Sequence, residues 1–201
     1  MYETTWHPPK NAVTQALIFL HGRNQSQAAT HSIAQPLPNA NTLLVLPSAP
    51  QRCWYPGSFL AEIQENEPSL SSGIAHLDAV IEKIIQGSGL STDQIILAGF
   101  SQGAALAAEY VGRVRKVKGL IAFSGGRNGP WGCNWEEDTS LSPMPMLFSV
   151  ATRDPFVPLK RVKETVAHFA QRGANAILET FEEDEHYVRE SEYTAARALF
   201  M

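Results

Sequence analysis

Gly99-Phe100-Ser101-Gln102-Gly103 combines residue types at a spacing that implies chemistry. A serine with glycine two residues before and two after can occupy a strained turn between a strand and a helix. Neither glycine has a Cβ to hold the two elements apart. The hydroxyl then stands exposed at the strand end as a nucleophile. With glycine and serine each near 7% of residues, such a match arises by chance only about 0.07 times in a chain of this length. The setting strengthens it. The apolar run Gln94-Ile95-Ile96-Leu97-Ala98 comes just before, and a segment rich in alanine (Ala104, Ala105, Ala107, Ala108) comes just after.

A serine hydroxyl is a weak nucleophile and needs a base. On a strand–turn–helix frame of this kind the partners follow in the order serine, acid, histidine. Only His168 and His186 lie beyond Ser101. His168 falls inside a helical pattern. His186 follows the last strand-like run, at the carboxyl end where parallel sheets place their sites, and is the expected base. Asp154, four residues past Val150, is the expected acid, orienting the imidazole and stabilising its protonated form. A helix cap is the simpler alternative for Asp154. An oxyanion formed at the substrate carbonyl needs two preorganised N–H donors. One is expected from Gln102, the other from the Leu20-His21-Gly22-Arg23 stretch, with His21 a structural neighbour.

These residues need a sheet to carry them. Short, continuous, β-rich apolar runs at 16–20, 42–46, 94–98, 120–123, 146–150 and 176–181 suit strands covered on both faces. A short edge strand is placed near 4–7. Helical periodicity covers 71–86, 102–111, 158–172 and 189–200, with Gly87, Gly112 and Gly173 as expected stops. The alternation predicts one domain over 1–201 with a three-layer α/β fold and a mostly parallel sheet. The stretch 124–143, with four glycines, Trp131, Trp135 and the acidic run Glu136-Glu137-Asp138, joins neither pattern. It reads as a functional loop or a solvated crossover, and is the only segment long enough to cover a site.

Composition narrows the partners. The 201 residues are 44% hydrophobic, as in a globular domain. A net charge of −4 offers no electrostatic case for nucleic acid or an anionic membrane. No apolar run approaches the roughly 18 residues of a membrane span, and the N-terminus has no signal-peptide pattern. Cys53 and Cys133 match no metal or redox motif and read as reduced thiols of a cytoplasmic protein. No metal and no cofactor is expected.

Phe19-Leu20-His21-Gly22, the serine motif, Asp154-Pro155-Phe156-Val157-Pro158, the late His186, Trp54-Tyr55-Pro56 and Ser72-Gly73-Ile74 together resemble the phospholipase/carboxylesterase family of α/β hydrolases, which includes acyl-protein thioesterases. The similarity runs from about 16 to 200, nearly the whole chain. It implies an α/β-hydrolase fold in a minimal form without a large lid, the triad Ser101, Asp154 and His186, and the Arg23 and Gln102 amides as oxyanion hole. Asn24 and Ala151 stand where many members have glycine. Trp54, Tyr55, Phe156 and Tyr187 fall on loops expected to rim the site and contact substrate. The Arg23 guanidinium, always charged, is expected to stand beside the site and favour esters with an anionic group, with pairing to an acidic residue at the surface as the alternative. The function expected is hydrolysis of a small-molecule carboxylic ester, with a thioesterase or lysophospholipase as the near alternative. A catalytically silent binding module on the same fold is the rival from another class.

Overall fold

The structure is a computed structural model that describes residues 1–114, 117–136 and 140–200. Among these residues, seven strands form one sheet: β1 (Glu3–His7), β2 (Gln15–Leu20), β3 (Thr42–Ser48), β4 (Ile95–Phe100), β5 (Gly119–Phe123), β6 (Pro145–Ala151) and β7 (Asn175–Phe181). Their spatial order is β1-β3-β2-β4-β5-β6-β7. Only β1 is antiparallel to its neighbour; β2 to β7 are parallel. The expected edge strand is β1.

Among the described residues, five α-helices, α1 (Gln27–Ala34), α2 (Ser69–Ser88), α3 (Gln102–Arg113), α4 (Leu159–Gln171) and α5 (Glu190–Phe200), cover both faces. Successive side chains on a strand point to opposite faces. Ile18, Leu20 and Leu97 accordingly pack with α2, α3 and α4, whereas Leu17, Phe19 and Ile96 pack with α1 and α5. Every residue of β2 and β4 is buried, which is why both runs, apart from Gln15, are continuously apolar rather than alternating.

Three expectations change. Helix α1 is an addition: it buries only Thr30 and Ala34, so the sequence shows no apolar stripe there. Its mark is the capping residue Ser26, whose side chain accepts from the Ala29 amide at 3.2 Å. The stop of α2 is Gly89, left-handed at φ 73°, not Gly87. Gly112 ends nothing: it lies inside α3, where a Cβ would meet the Arg127 guanidinium carbon at 2.6 Å.

The stretch after β5 divides: its first part is built into the protein, whereas residues 131, 132, 134, 136, 140, 142 and 143 are exposed. Residues 124–129 are buried. Glu109 of α3, fully buried, accepts from Arg127 Nε at 3.1 Å, Arg113 Nε at 2.9 Å and the Asn128 amide at 2.8 Å. Arg161 of α4 donates to the carbonyls of Arg127, Gly129 and Pro130 at 2.9, 2.8 and 2.7 Å. Glu137 and Asp138 of the expected acidic run lie outside the described residues. Among the described residues, no helix is long and apolar enough to cross a membrane.

Candidate active site

Strand β4 delivers Ser101 directly into α3. Ser101 has φ 55° and ψ −120°. Such a conformation costs a non-glycine residue about 1–3 kcal/mol. The turn is held from both sides: the Ser101 amide donates to the Phe123 carbonyl at 2.9 Å, and its carbonyl accepts from Ala105 at 3.0 Å. The flanking glycines are required by contact. A Cβ on Gly99 would stand 2.5 Å from the Gly103 carbonyl carbon, and one on Gly103 would stand 2.2 Å from the Leu20 carbonyl oxygen.

Asp154 follows β6 and His186 follows β7, the neighbouring strand. His186 Nδ1 lies 2.7 Å from Asp154 Oδ2. That contact makes Nδ1–H the donor and leaves Nε2 as the acceptor. The other carboxylate oxygen accepts from the Phe156 and Val157 amides, each at 2.9 Å. Burial pushes the Asp154 carboxyl up; the bonds from His186, Phe156 and Val157 and the imidazole's charge outweigh it and hold it below the ordinary carboxylate range. The ring of His186 lies between Phe100 and Phe156, with centroids 4.7 and 5.1 Å away.

The His186 loop is braced by residues the sequence does not single out. Arg189 donates to the carbonyls on either side of His186, Glu185 at 3.2 Å and Tyr187 at 3.1 Å. Its amide and guanidinium also reach the buried Glu192 of α5 at 2.7 and 3.1 Å. Ser149 of β6 donates to the same carboxylate, and Glu183 binds the Arg189 Nε. No motif signals this brace, because its members read as ordinary surface charges.

Ser101 and His186 line one cavity of about 780 Å³, together with Gly22, Arg23 and Gln102. Its apolar wall includes Tyr55, Phe59, Phe100, Ala105, Phe156 and Val157. Gln102 is the first residue of α3, so its amide is one of the helix's unpaired N-terminal donors. In the turn after β2, the Gly22 amide donates to Gln25 Oε1 at 2.7 Å, that of Asn24 to the Arg52 carbonyl at 2.8 Å and that of Gln25 to the Gly22 carbonyl at 3.1 Å. Arg23 therefore keeps the uncommitted amide of this turn among the described residues. Asn24 has φ 64°, the left-handed conformation that glycine would adopt most easily.

Of the four expected substrate contacts, the structure brings Tyr55 and Phe156 to the cavity wall and not Trp54 or Tyr187. Trp54 is fully buried, donating from Nε1 to the His21 carbonyl at 2.9 Å and stacking on the His21 ring at 4.8 Å. Tyr187 lies against the Arg189 guanidinium, 4.4 Å from its ring centre. His21 has a structural place: Nδ1 donates to the Gly22 carbonyl at 2.8 Å, Nε2 accepts from Ala49, and burial pushes its pKa down. His168 is remote, packed on Trp135 and 3.3 Å from Arg127. From the described part of the 124–143 stretch, only Gly125 lines the cavity. The Arg23 guanidinium donates to the carbonyls of Tyr55, Pro56 and Gly57, and among the described residues no carboxylate pairs with it. Phe59, Ser58 and Gln25 are additions to the cavity wall, and nothing in their local sequence marks them.

Residues 4–199 match the family described as phospholipase/carboxylesterase. The chain is 31% identical to acyl-protein thioesterase 1 of Saccharomyces cerevisiae over 166 residues, 72% of this chain and 72% of that one. It superposes on the crystal structure of a phospholipase/carboxylesterase from Dyadobacter fermentans with a TM-score of 0.90 and 30% identity, over 100% of this chain and 96% of that one. A carboxylesterase from Bacillus cereus shares the fold, with a TM-score of 0.81 at 16% identity, over 100% of this chain and 93% of that one.

Proposed function

The chain belongs to the phospholipase/carboxylesterase family, a family of ester and thioester hydrolases, and from that premise we propose that it is a serine hydrolase of small carboxylic esters acting through Ser101, His186 and Asp154. The observation that supports this best is the 2.7 Å contact between His186 Nδ1 and Asp154, because His186 lines the same cavity as Ser101. Ser101 Oγ attacks the substrate carbonyl as His186 Nε2 takes its proton. Asp154 holds the imidazole tautomer and stabilises the imidazolium. The Arg23 and Gln102 amides receive the oxyanion. His186 then protonates the leaving group, and water, activated by the same imidazole, hydrolyses the acyl-enzyme. No step calls for a metal or an organic cofactor. Tyr55 and Phe156 contact the acyl or alcohol part, and the apolar wall favours neutral, short or medium chains. A thioester is the second reading, favoured by the likeness to the yeast acyl-protein thioesterase.

A fluorophosphonate probe tests the assignment. Peptide mapping should find label on Ser101 alone, and p-nitrophenyl acetate should give a burst of p-nitrophenol. Label on Ser124 or Ser149 instead, or turnover surviving in Ser101→Ala, would sink the proposal. Competing p-nitrophenyl butyrate against butyryl-thiocholine would rank ester against thioester.

A further inference from the structure

We propose that the side chains of Arg23 and Gln102 are positioning groups of the oxyanion hole, each tying its own residue to one loop, residues 53–57, so that a single strut sets the spacing of the two backbone amides. This rests on Ser101 being the nucleophile. Arg23 Nη2 donates to the Tyr55 carbonyl at 3.1 Å and the Gly57 carbonyl at 2.6 Å, and Nη1 donates to the Pro56 carbonyl at 2.8 Å and Cys53 Sγ at 3.4 Å. Three successive carbonyls thus converge on one planar cation. Among the described residues no carboxylate pairs with it. From α3, Gln102 Nε2 donates to the same Tyr55 carbonyl at 2.8 Å, and its Oε1 accepts from the Trp54 amide at 3.0 Å.

The strut has its own foundation. The buried Asn66 accepts from the Gly57 amide at 2.8 Å and donates to the Ser58 carbonyl at 2.7 Å. Trp54 is locked beneath it by the His21 carbonyl. The two amides assigned to the oxyanion come from different elements, the turn after β2 and the first turn of α3. Electrostatic stabilisation of an oxyanion depends on donors that need no reorganisation as charge develops. A loop gripped by both residues supplies that fixity. Lysine could not replace the arginine fully, because an ammonium is a point donor whereas the guanidinium fork spans several acceptors.

The test compares Arg23→Leu, Arg23→Lys, Gln102→Met and the Arg23→Leu/Gln102→Met double variant on neutral p-nitrophenyl butyrate, with kcat and KM measured separately and thermal unfolding recorded. Each single variant to Leu or Met should lose about 10²-fold in kcat, the scale of one misplaced donor, with KM within about threefold. Arg23→Lys should recover part of the loss. The double variant should lose little more than the worse single, since both act on one loop. The inhibition constant of butaneboronic acid, whose tetrahedral adduct presents an oxygen to the amides, should rise in step with the loss of kcat/KM. If Arg23→Leu does not fold, Arg23→Lys and Gln102→Met still decide the matter. Folded variants that keep kcat within about threefold, or losses confined to unfolding temperature, would overturn the strut alone provided the wild type labels at Ser101. A wild type that fails to label there would overturn the hydrolase reading and the strut with it.

Discussion

Gly103→Ala is the smallest change that should separate the geometry of the site from its chemistry, because it removes no reacting group. The added Cβ would lie 2.2 Å from the Leu20 carbonyl oxygen, 2.5 Å from the Leu20 carbonyl carbon and 2.6 Å from the His21 carbonyl oxygen. All three are backbone atoms, so no side chain can swing away. Ordinary van der Waals contact begins at 3.4 Å, so α3 and the end of β2 would have to separate. The separation needed is roughly 1 Å, a scale on which misplacement costs about 10² in rate. Helix α3 bears the Gln102 amide and the turn that leaves β2 bears that of Arg23, so the displacement falls on the proposed oxyanion donors. We expect kcat on p-nitrophenyl butyrate to fall about 10²–10³-fold with KM nearly unchanged. Overpacking should also lower stability by about 1–3 kcal/mol, or roughly 2–4 °C of Tm for each kcal/mol in a chain of this size. Gly87→Ala is the matched control. Nothing lies within 4 Å of a Cβ there. It should therefore stabilise α2 by about 0.5–1 kcal/mol and leave kcat alone. Wild-type kcat in folded Gly103→Ala would refute the argument that close approach of strand and helix aligns the site.

Ser101→Ala and His186→Ala should each lower kcat by about 10⁶-fold if the triad acts as a unit, and Asp154→Asn by about 10⁴-fold, measured as steady-state ester hydrolysis. His168→Ala should leave kcat unchanged. Glu109→Ala should remove the buried carboxylate that accepts from Arg127, Arg113 and the Asn128 amide, at a cost of about 3–5 kcal/mol, read by urea unfolding. Asp154 is held below its ordinary pKa in the folded protein. It contributes stability that is fully present above the unfolded value near pH 3.9 and is lost as pH falls through the lower folded value. Tm measured from about pH 5 down to about pH 2.5 should therefore drop less steeply in Asp154→Asn than in the wild type.

The parts of the site legible in the sequence are those that local physics and chain order constrain. The glycines around Ser101 are demanded by approaches of 2.2 and 2.5 Å at the elbow, so they stand out as a motif. Asp154 and His186 can be placed because the runs ending near Val150 and Phe181 are unmistakably strands, and in a parallel sheet both carboxyl ends face the same way. Trp54 and Tyr187 read as rim residues because loop aromatics often line pockets. Whether a ring faces the cavity, a buried carbonyl as Trp54 does, or a guanidinium as Tyr187 does, depends on contacts no local pattern encodes. The Arg23 guanidinium illustrates the same limit, since the carbonyls it binds lie 32, 33 and 34 residues away.

Arginine explains most of what the sequence hid. The strands and their register bring the functional loops to one edge of the sheet, but a loop with unpaired carbonyls has no ladder to hold it. Arg23 gathers the carbonyls of residues 55–57, Arg161 those of residues 127, 129 and 130, and Arg189 those of residues 185 and 187. Each therefore replaces a missing stretch of ladder with a charged fork of several donors. Where the fork is buried, its charge is answered by a carboxylate: Glu164 for Arg161, Glu192 and Glu183 for Arg189. Arg23 is exposed and pairs with no carboxylate among the described residues. That difference has a consequence. Removing a buried clamp leaves a carboxylate without its partner and should be felt first as lost stability, whereas removing Arg23 strands no charge and should be felt first in the rate. The loops of this protein are thus held by the residue type that composition alone would assign to its surface.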